Sequence, residues 1–118
     1  MYRIGEFAKI TNLSIRTLRF YNDLNLLVPE YVDVYTNYRY YGDNNLEEAK
    51  MIEKLKDAGF TLDEIKTNLG NFTEEKYLAK KQELYKKIYY LEEQIKLLDK
   101  LRANENSKNE TVKVKKIA

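Results

Sequence analysis

The chain contains no cysteine and no histidine, and its 118 residues include only four glycines and one proline. Without cysteine and histidine it cannot form disulfides, zinc fingers, thiolate metal centres or imidazole-based acid–base sites. Four scattered glycines cannot build a phosphate-binding loop, and adjacent carboxylates such as Glu74 and Glu75 point to different sides of a helix. We therefore expect a protein that is not an enzyme, with no catalytic residues, no metal site and no cofactor.

The chain also has no large excess of either charge and no long apolar run. The net charge is only +2, so bulk charge does not indicate a nucleic-acid partner, and any DNA-binding face depends on where the basic residues lie. No apolar run approaches the roughly 18 residues that span a membrane, and the N-terminus lacks the apolar core of a signal peptide. This favours a cytoplasmic protein with no membrane partner, and the chain has room for one small domain and an extension.

A helix-turn-helix pattern occupies residues 4–23. A short helix over residues 5–10 is followed by the helix-breaking pair Thr11 and Asn12, and Ser14 is placed to cap a second helix. We expect that second helix to enter a DNA groove, with Arg16 near base edges and Arg19 on a phosphate, although two arginines on a solvated helix are common. Tyr21 or Asn22 also fits the helical spacing of Ile15, Leu18 and Leu26, which is expected to face the interior. The polar face of the second helix comprises Ser14, Arg16, Thr17, Arg19 and Tyr21.

Five of the eleven tyrosines fall between residues 31 and 41. Residues 31–35 and 38–41 have strand character and are separated by the turn-forming pair at 36–37, which predicts a β-hairpin, or wing. Alternation places Tyr38 and Tyr40 on one face and Arg39 and Tyr41 on the other, so we expect one pair to pack and the other to reach outward. Arg39 is then the expected phosphate ligand of the wing, while packing among the tyrosines is the alternative role for these rings.

Two further helices are predicted after the wing. The first covers residues 46–58, capped by Asp43 or Asn44, and ends at Gly59. The second begins at the capping box of Thr61 and Glu64 and ends near residue 70. These elements complete a domain over residues 1–71.

A long helix is predicted over residues 73–103, because about 30 residues follow Thr73 without proline or glycine. Such a helix, about 45 Å long, cannot bury an apolar seam on a 70-residue domain, so we expect it to form a homodimer. Packing of the seam on the chain's own core is the alternative. Residues 104–118 are expected to be a linker followed by the first strand, 112–117, of a further domain. The seam follows the alternating steps of three and four that are typical of coiled coils and comprises Tyr77, Leu84, Ile88, Leu91, Ile95 and Leu98.

Several of these stretches together resemble the MerR family of transcription regulators, and the resemblance covers residues 1 to about 102. Tyr31-Val32-Asp33 followed by residues 38–41 is especially similar to the multidrug-responsive branch of that family. The stretches that carry the resemblance are residues 4–9 (IGEFAK), 14–21 (SIRTLRFY), 26–29 (LLVP), 38–41 (YRYY) and 59–65 (GFTLDEI).

The resemblance implies a mainly α fold, in which a winged helix-turn-helix with a small β-hairpin precedes a long C-terminal coiled-coil helix that pairs antiparallel in a dimer. It implies binding to a pseudo-palindromic operator in double-stranded promoter DNA whose spacer is overlong. The dimer would bend and untwist that spacer, so that RNA polymerase is affected indirectly through promoter shape. It also implies activation by a small-molecule effector bound to a gyrase-inhibitor-like domain beyond Ala118.

The resemblance carries site residues over to this chain. Lys56 is included among the expected DNA contacts only because of the resemblance, since a lone lysine on an acidic helix would otherwise be an ordinary surface residue. Phe20 is a departure, because close relatives often have tyrosine there. A coiled-coil adaptor or architectural DNA-binding protein remains the alternative function. The implied DNA contacts are Ser14, Arg16, Thr17, Arg19, Tyr21, Tyr38, Arg39 and Lys56.

Overall fold

The computed structural model describes residues 1–108. They form two compact units, of which the first covers Met1–Phe72 and the second begins at Thr73. The mainly helical architecture, with one small sheet and a long last helix, confirms the predicted fold class. The elements are Tyr2–Arg3 (β1), Ile4–Thr11 (α1), Ile15–Asp23 (α2), Tyr31–Val32 (β2), Arg39–Tyr41 (β3), Asp43–Asp57 (α3), Leu62–Thr67 (α4) and Glu74–Lys108 (α5).

The helix-turn-helix consists of α1 and α2, as predicted. Asn12 follows α1 with a φ of 61°, a left-handed conformation that asparagine tolerates better than most residues. The Ser14 hydroxyl then accepts the backbone N–H of Thr17 at 3.0 Å, which caps α2. Asn25, with a φ of 57°, turns the chain after α2. The caps predicted from local sequence therefore place α2 correctly.

The wing is the hairpin of β2 and β3, which is part of a three-stranded antiparallel sheet in the order β1-β3-β2. Its turn is held by Asp33, whose carboxylate accepts the backbone N–H groups of Tyr35 and Thr36 at 2.8 and 3.2 Å. Asn37 completes the turn with a φ of 61°. The predicted hairpin is confirmed, and the short N-terminal strand β1 joins its other edge.

The expectation that one pair of wing residues packs while the other reaches outward is wrong. Arg39 and Tyr41 share one side of β3, yet Arg39 is exposed and Tyr41 is fully buried. Tyr41 pairs with Tyr2 of β1 and stacks on Phe7 of α1 with ring centroids 4.4 Å apart. Arg39 instead pairs with Val32 on the outer strand. Burial along β3 therefore follows distance from the core as well as side-chain alternation.

Helix α3 begins earlier than predicted and has a different cap. Gly42 is its N-cap residue, and neither Asp43 nor Asn44 caps it as expected. The side chain of Asn45 takes over this task, because its Oδ1 accepts the Gly42 backbone N–H at 3.0 Å. The capping box of Thr61 at the start of α4 is confirmed.

Asn45 also ties α3 to the segment that leads into the wing. Its Oδ1 accepts the backbone N–H of Glu30 at 3.1 Å, and its Nδ2 donates to the carbonyl of Val28 at 2.8 Å. The residue is 2% exposed. This one side chain therefore supplies hydrogen-bond partners to backbone groups of a segment that has no helix or strand partners there.

The core of the first unit is a single apolar cluster to which all four of its helices contribute. Burial of each large side chain stabilises the fold by about 1.5–3 kcal/mol. The cluster fixes the inner sides of α1, α2 and α3, and so determines which side of α2 is left exposed. Its buried members are Phe7, Leu18, Tyr21, Leu26, Leu27, Tyr41, Ala49, Ile52, Leu55, Phe60 and Ile65.

Helix α5 has 35 residues and is about 52 Å long. It continues to Lys108, so residues 104–108 are helical rather than the linker that we expected. The predicted strand over residues 112–117 lies outside the described residues. The predicted seam residues are 38–64% exposed in the single chain. None of the helices within residues 1–108 is long and apolar enough to cross a membrane.

Candidate nucleic-acid interface

The two sides of α2 differ sharply. Leu18 and Tyr21, three residues apart, lie on the inner side and are at most 1% exposed. Arg16 and Arg19 are exposed. The core thus positions both arginines on the outer side of the second helix of the helix-turn-helix, as the sequence predicted.

The outer side of α2 and the wing meet at a shallow cavity of about 240 Å³. Three of the predicted DNA contacts, Arg19, Tyr38 and Arg39, lie together in its wall. The wall includes two guanidinium groups and no carboxylate, a combination that suits a phosphate. The cavity is lined by Ile4, Arg19, Asn37, Tyr38 and Arg39.

Arg3 is a neighbour of this cavity that the sequence did not indicate. Its guanidinium carbon lies 4.1 Å from the ring centroid of Tyr38, within the range of a cation–π interaction. The contact supports the exposed Tyr38 ring and places a further cation against a residue of the cavity wall. Nothing in the sequence showed that β1, which contains Arg3, pairs beside the wing.

The arginines of this surface differ from several lysines of the described residues in their partners. Within residues 1–108 none of Arg16, Arg19 and Arg39 forms a salt bridge. In contrast, Lys50 and Lys96 pair with glutamates on their own helices. The three guanidinium groups are therefore available to an external anion.

Tyr21 lies on the inner side of α2 and not on its exposed polar side, so of its two predicted places the structure selects the interior. Its ring belongs to the core, because position 21 follows Leu18 by three residues on the same side of the helix. Its hydroxyl donates to Glu53 Oε2 at 2.9 Å and accepts from Lys56 Nζ at 2.9 Å. Burial raises the pKa of the Tyr21 hydroxyl, so it stays protonated at neutral pH.

Lys56 is held at the surface by this contact between α2 and α3. Its ammonium group also lies 3.5 Å from Glu53 Oε1, and its side chain is 38% exposed. The hydrogen bond to Tyr21 raises the pKa of Lys56, so the cation is retained. Lys56 is thus a fixed positive charge beside α2.

Ser14 and Thr17 are engaged with each other. The Ser14 hydroxyl donates to Thr17 Oγ1 at 2.9 Å while it accepts the Thr17 backbone N–H. Ser14 is exposed and Thr17 is half-buried. The structure places both at the start of α2 and not in the cavity shared by Arg19 and Arg39, so their contact with DNA remains a prediction.

The C-terminal half of α5 carries an apolar concavity of about 530 Å³. Three predicted seam residues, Leu91, Ile95 and Leu98, line it together with residues that the heptad pattern did not include. Leu97 and Leu101 are 56% and 55% exposed there. The apolar surface is therefore wider than the predicted seam. The full lining comprises Leu91, Gln94, Ile95, Leu97, Leu98 and Leu101.

Comparison with known proteins agrees with this geometry. Residues 2–71 match the family model described as MerR HTH family regulatory protein. The chain belongs to the MerR family of DNA-binding transcription regulators. It is 37% identical over 102 residues to the HTH-type transcriptional activator mta of Bacillus subtilis, which covers 84% of this chain and 39% of that protein. The chain thus spans about two fifths of the length of this MerR relative.

Two solved MerR structures extend the comparison to α5. The N-terminal part of the Bacillus subtilis multidrug transporter activator, MtaN, is 36% identical with a TM-score of 0.79, over 86% of this chain and 97% of that one. EcmrR, solved in a complex with DNA, is 28% identical with a TM-score of 0.77, over 91% of this chain and 40% of that one. The resemblance to the multidrug-responsive branch is confirmed by the first of these.

Proposed function

We propose that this chain binds promoter DNA as a homodimer in the cytoplasm and regulates transcription by distorting the promoter spacer. The observation that carries the proposal is the cavity in which Arg19 of α2 and Arg39 of the wing lie together without a carboxylate. Contacts from two separate elements to one backbone fix the orientation of a protein on duplex DNA. The proposed DNA contacts are Ser14, Arg16, Thr17, Arg19, Tyr38, Arg39 and Lys56.

The dimer is supported by the exposed apolar side of α5. Residues of the predicted seam, such as Ile88 at 51% and Leu98 at 64% exposure, are costly to leave in water. A second copy of the same helix offers a matching surface, and antiparallel pairing is the arrangement we propose. Two DNA-binding units then address two half-sites at a fixed separation.

The proposed regulatory mechanism goes beyond the proposed DNA contacts and the proposed dimer. A dimer with fixed spacing binds best to DNA whose bend and twist match it, so binding energy can be used to deform the spacer. RNA polymerase then responds to promoter shape. A small-molecule effector would act through a domain beyond Ala118, and the protein would serve as an activator, as the name of the Bacillus subtilis relative states for that protein.

Removing both cavity arginines tests the proposed DNA contacts. We expect the Arg19→Ala/Arg39→Ala variant to bind a duplex selected from a random library by the wild type about 10- to 100-fold more weakly, since each arginine loses a charge-assisted phosphate contact. The magnitude of the slope of log affinity against log salt should fall by about 0.9 for each lost contact. Fluorescence polarisation across a salt series measures both quantities.

The matched control removes two positive charges elsewhere on the same unit. Lys9 and Lys50 are exposed and do not line the cavity, so Lys9→Ala/Lys50→Ala should keep the affinity within a few-fold of the wild type, apart from general electrostatics. Equal binding by the arginine variant and the wild type at every salt concentration would refute the proposed contacts.

A further inference from the structure

The hydroxyl of Tyr21 lies between two charged groups of α3, although the ring belongs to the core. It receives a hydrogen bond from Lys56 and gives one to Glu53, both at 2.9 Å. The residue as a whole is 1% exposed. A ligand as large as a DNA backbone therefore meets Lys56, with its 38% exposed side chain, before it meets Tyr21.

The direction of the two hydrogen bonds decides what the hydroxyl does. The single O–H proton of Tyr21 is given to the Glu53 carboxylate, so the oxygen lone pairs are left to face the Lys56 ammonium. Because Tyr21 is packed in the core with Leu18 and Leu55, this acceptor cannot move. Lys56 is bound through one of its three N–H donors, and the others remain for Glu53 and an external anion.

A lysine side chain is otherwise a poor fixed ligand. It has four rotatable carbon–carbon bonds, and ordering them on binding DNA has a large entropic cost. The Tyr21 hydroxyl orders the chain beforehand. The same hydrogen bond links Lys56 on α3 to α2, the helix that carries Arg16 and Arg19. The positive charges on the two helices are therefore held at a fixed separation.

We propose that Tyr21 is a positioning residue, which holds the Lys56 ammonium against a DNA backbone phosphate and makes no contact with DNA itself. This inference rests on the proposed function. It assigns to α2 a second task besides groove contact, namely the orientation of a phosphate-binding lysine on the neighbouring helix.

A double-mutant cycle on the full chain tests the proposal. Tyr21→Phe, Lys56→Met and the double variant are compared with the wild type for binding to the duplex that the wild type selects from a random library. We expect Tyr21→Phe to weaken binding roughly tenfold, because the Lys56 side chain must then be ordered when DNA binds. Lys56→Met should weaken it at least as much, and the double variant should bind no more weakly than Lys56→Met.

The cycle separates positioning from the other roles of Tyr21. If Tyr21 contacted DNA, or if its hydroxyl only stabilised the fold, its loss would weaken binding equally with and without Lys56, and the proposal would be overturned. The proposal also fails if Tyr21→Phe binds as tightly as the wild type. If the wild type selects no duplex, the proposed function fails, and this inference fails with it.

Two matched variants control for general effects. Tyr41→Phe removes a buried tyrosine hydroxyl that has no hydrogen-bond partner within residues 1–108, and it should leave the DNA affinity unchanged. Lys54→Met removes the same charge as Lys56→Met from an exposed position two residues away on α3, and it should weaken binding much less. Equal losses for Lys54→Met and Lys56→Met would contradict the assigned phosphate contact.

Discussion

Replacing Leu91 and Ile95 with lysine should convert the protein to a monomer at micromolar concentration and weaken binding to a duplex with two half-sites by about 10²- to 10⁴-fold. Four lysines per dimer would have to be desolvated within an apolar seam, which opposes pairing. Without pairing, the second DNA-binding unit loses the effective concentration that the first one provides. Affinity for a single half-site should change little.

Analytical ultracentrifugation measures the first effect and fluorescence polarisation the second. A control variant, Gln82→Lys/Tyr89→Lys, adds the same charge on the side of α5 away from the seam, and it should remain a dimer. If the Leu91→Lys/Ile95→Lys variant also stayed dimeric, the seam would not be the dimer interface.

Asn45→Ala should lower the free energy of unfolding by about 3 kcal/mol, although it removes only a small polar group. The substitution removes three hydrogen bonds to backbone groups, those of Val28, Glu30 and Gly42, of which only Gly42 is a buried residue. Each lost hydrogen bond costs about 0.5–1.5 kcal/mol, and a buried group left without a partner costs about 1–3 kcal/mol. Relaxation and entry of water keep the total below the sum of these costs. Urea denaturation at constant protein concentration measures the loss.

The neighbouring asparagine provides the control. Asn44 is exposed beside Asn45 on α3, so Asn44→Ala should change the free energy of unfolding by less than about 0.5 kcal/mol. Similar effects of the two alanine substitutions would show that Asn45 does not hold the segment between α2 and the wing.

Local signals made most of the fold predictable. The cap at Ser14 and the capping box at Thr61 each involve residues within a few positions, and both are as predicted. The hydrogen bonds of Asn45 were not predicted, because its backbone partners Glu30 and Val28 lie 15 and 17 residues away. Asparagine at a helix start suggests a local cap, and nothing in the sequence shows a distant one.

The sequence predicted which residues form the candidate interface better than it predicted where their side chains lie. Arg19 and Arg39 follow from helical spacing and strand alternation, and the structure brings them together. Tyr21 fits both the polar face and the inner side of α2 when only spacing is considered, so the position of α3 decides between them. The burial of Tyr41 was not predicted, because side-chain alternation carries no information about where a short strand leaves the core.

The sequence also failed to predict where α5 ends. Residues 104–108 are polar and lack the apolar spacing of the seam, which suggested a linker, yet the helix continues through them to Lys108. Helices propagate more readily than they nucleate, so a polar extension without proline or glycine remains helical. The heptad spacing predicted the apolar side but not its full width, because Leu97 and Leu101 lie outside the strict pattern.

The spacing of the two half-sites provides the most direct test of the account. From the duplex that the wild type selects, a variant is made with about five base pairs, or half a helical turn, inserted between the half-sites. We predict that the selected duplex contains an inverted repeat and that the insertion weakens binding about 100-fold, to the level of a single half-site. Unchanged affinity after the insertion, or selection of duplexes without an inverted repeat, would contradict a dimer that binds promoter DNA at a fixed spacing.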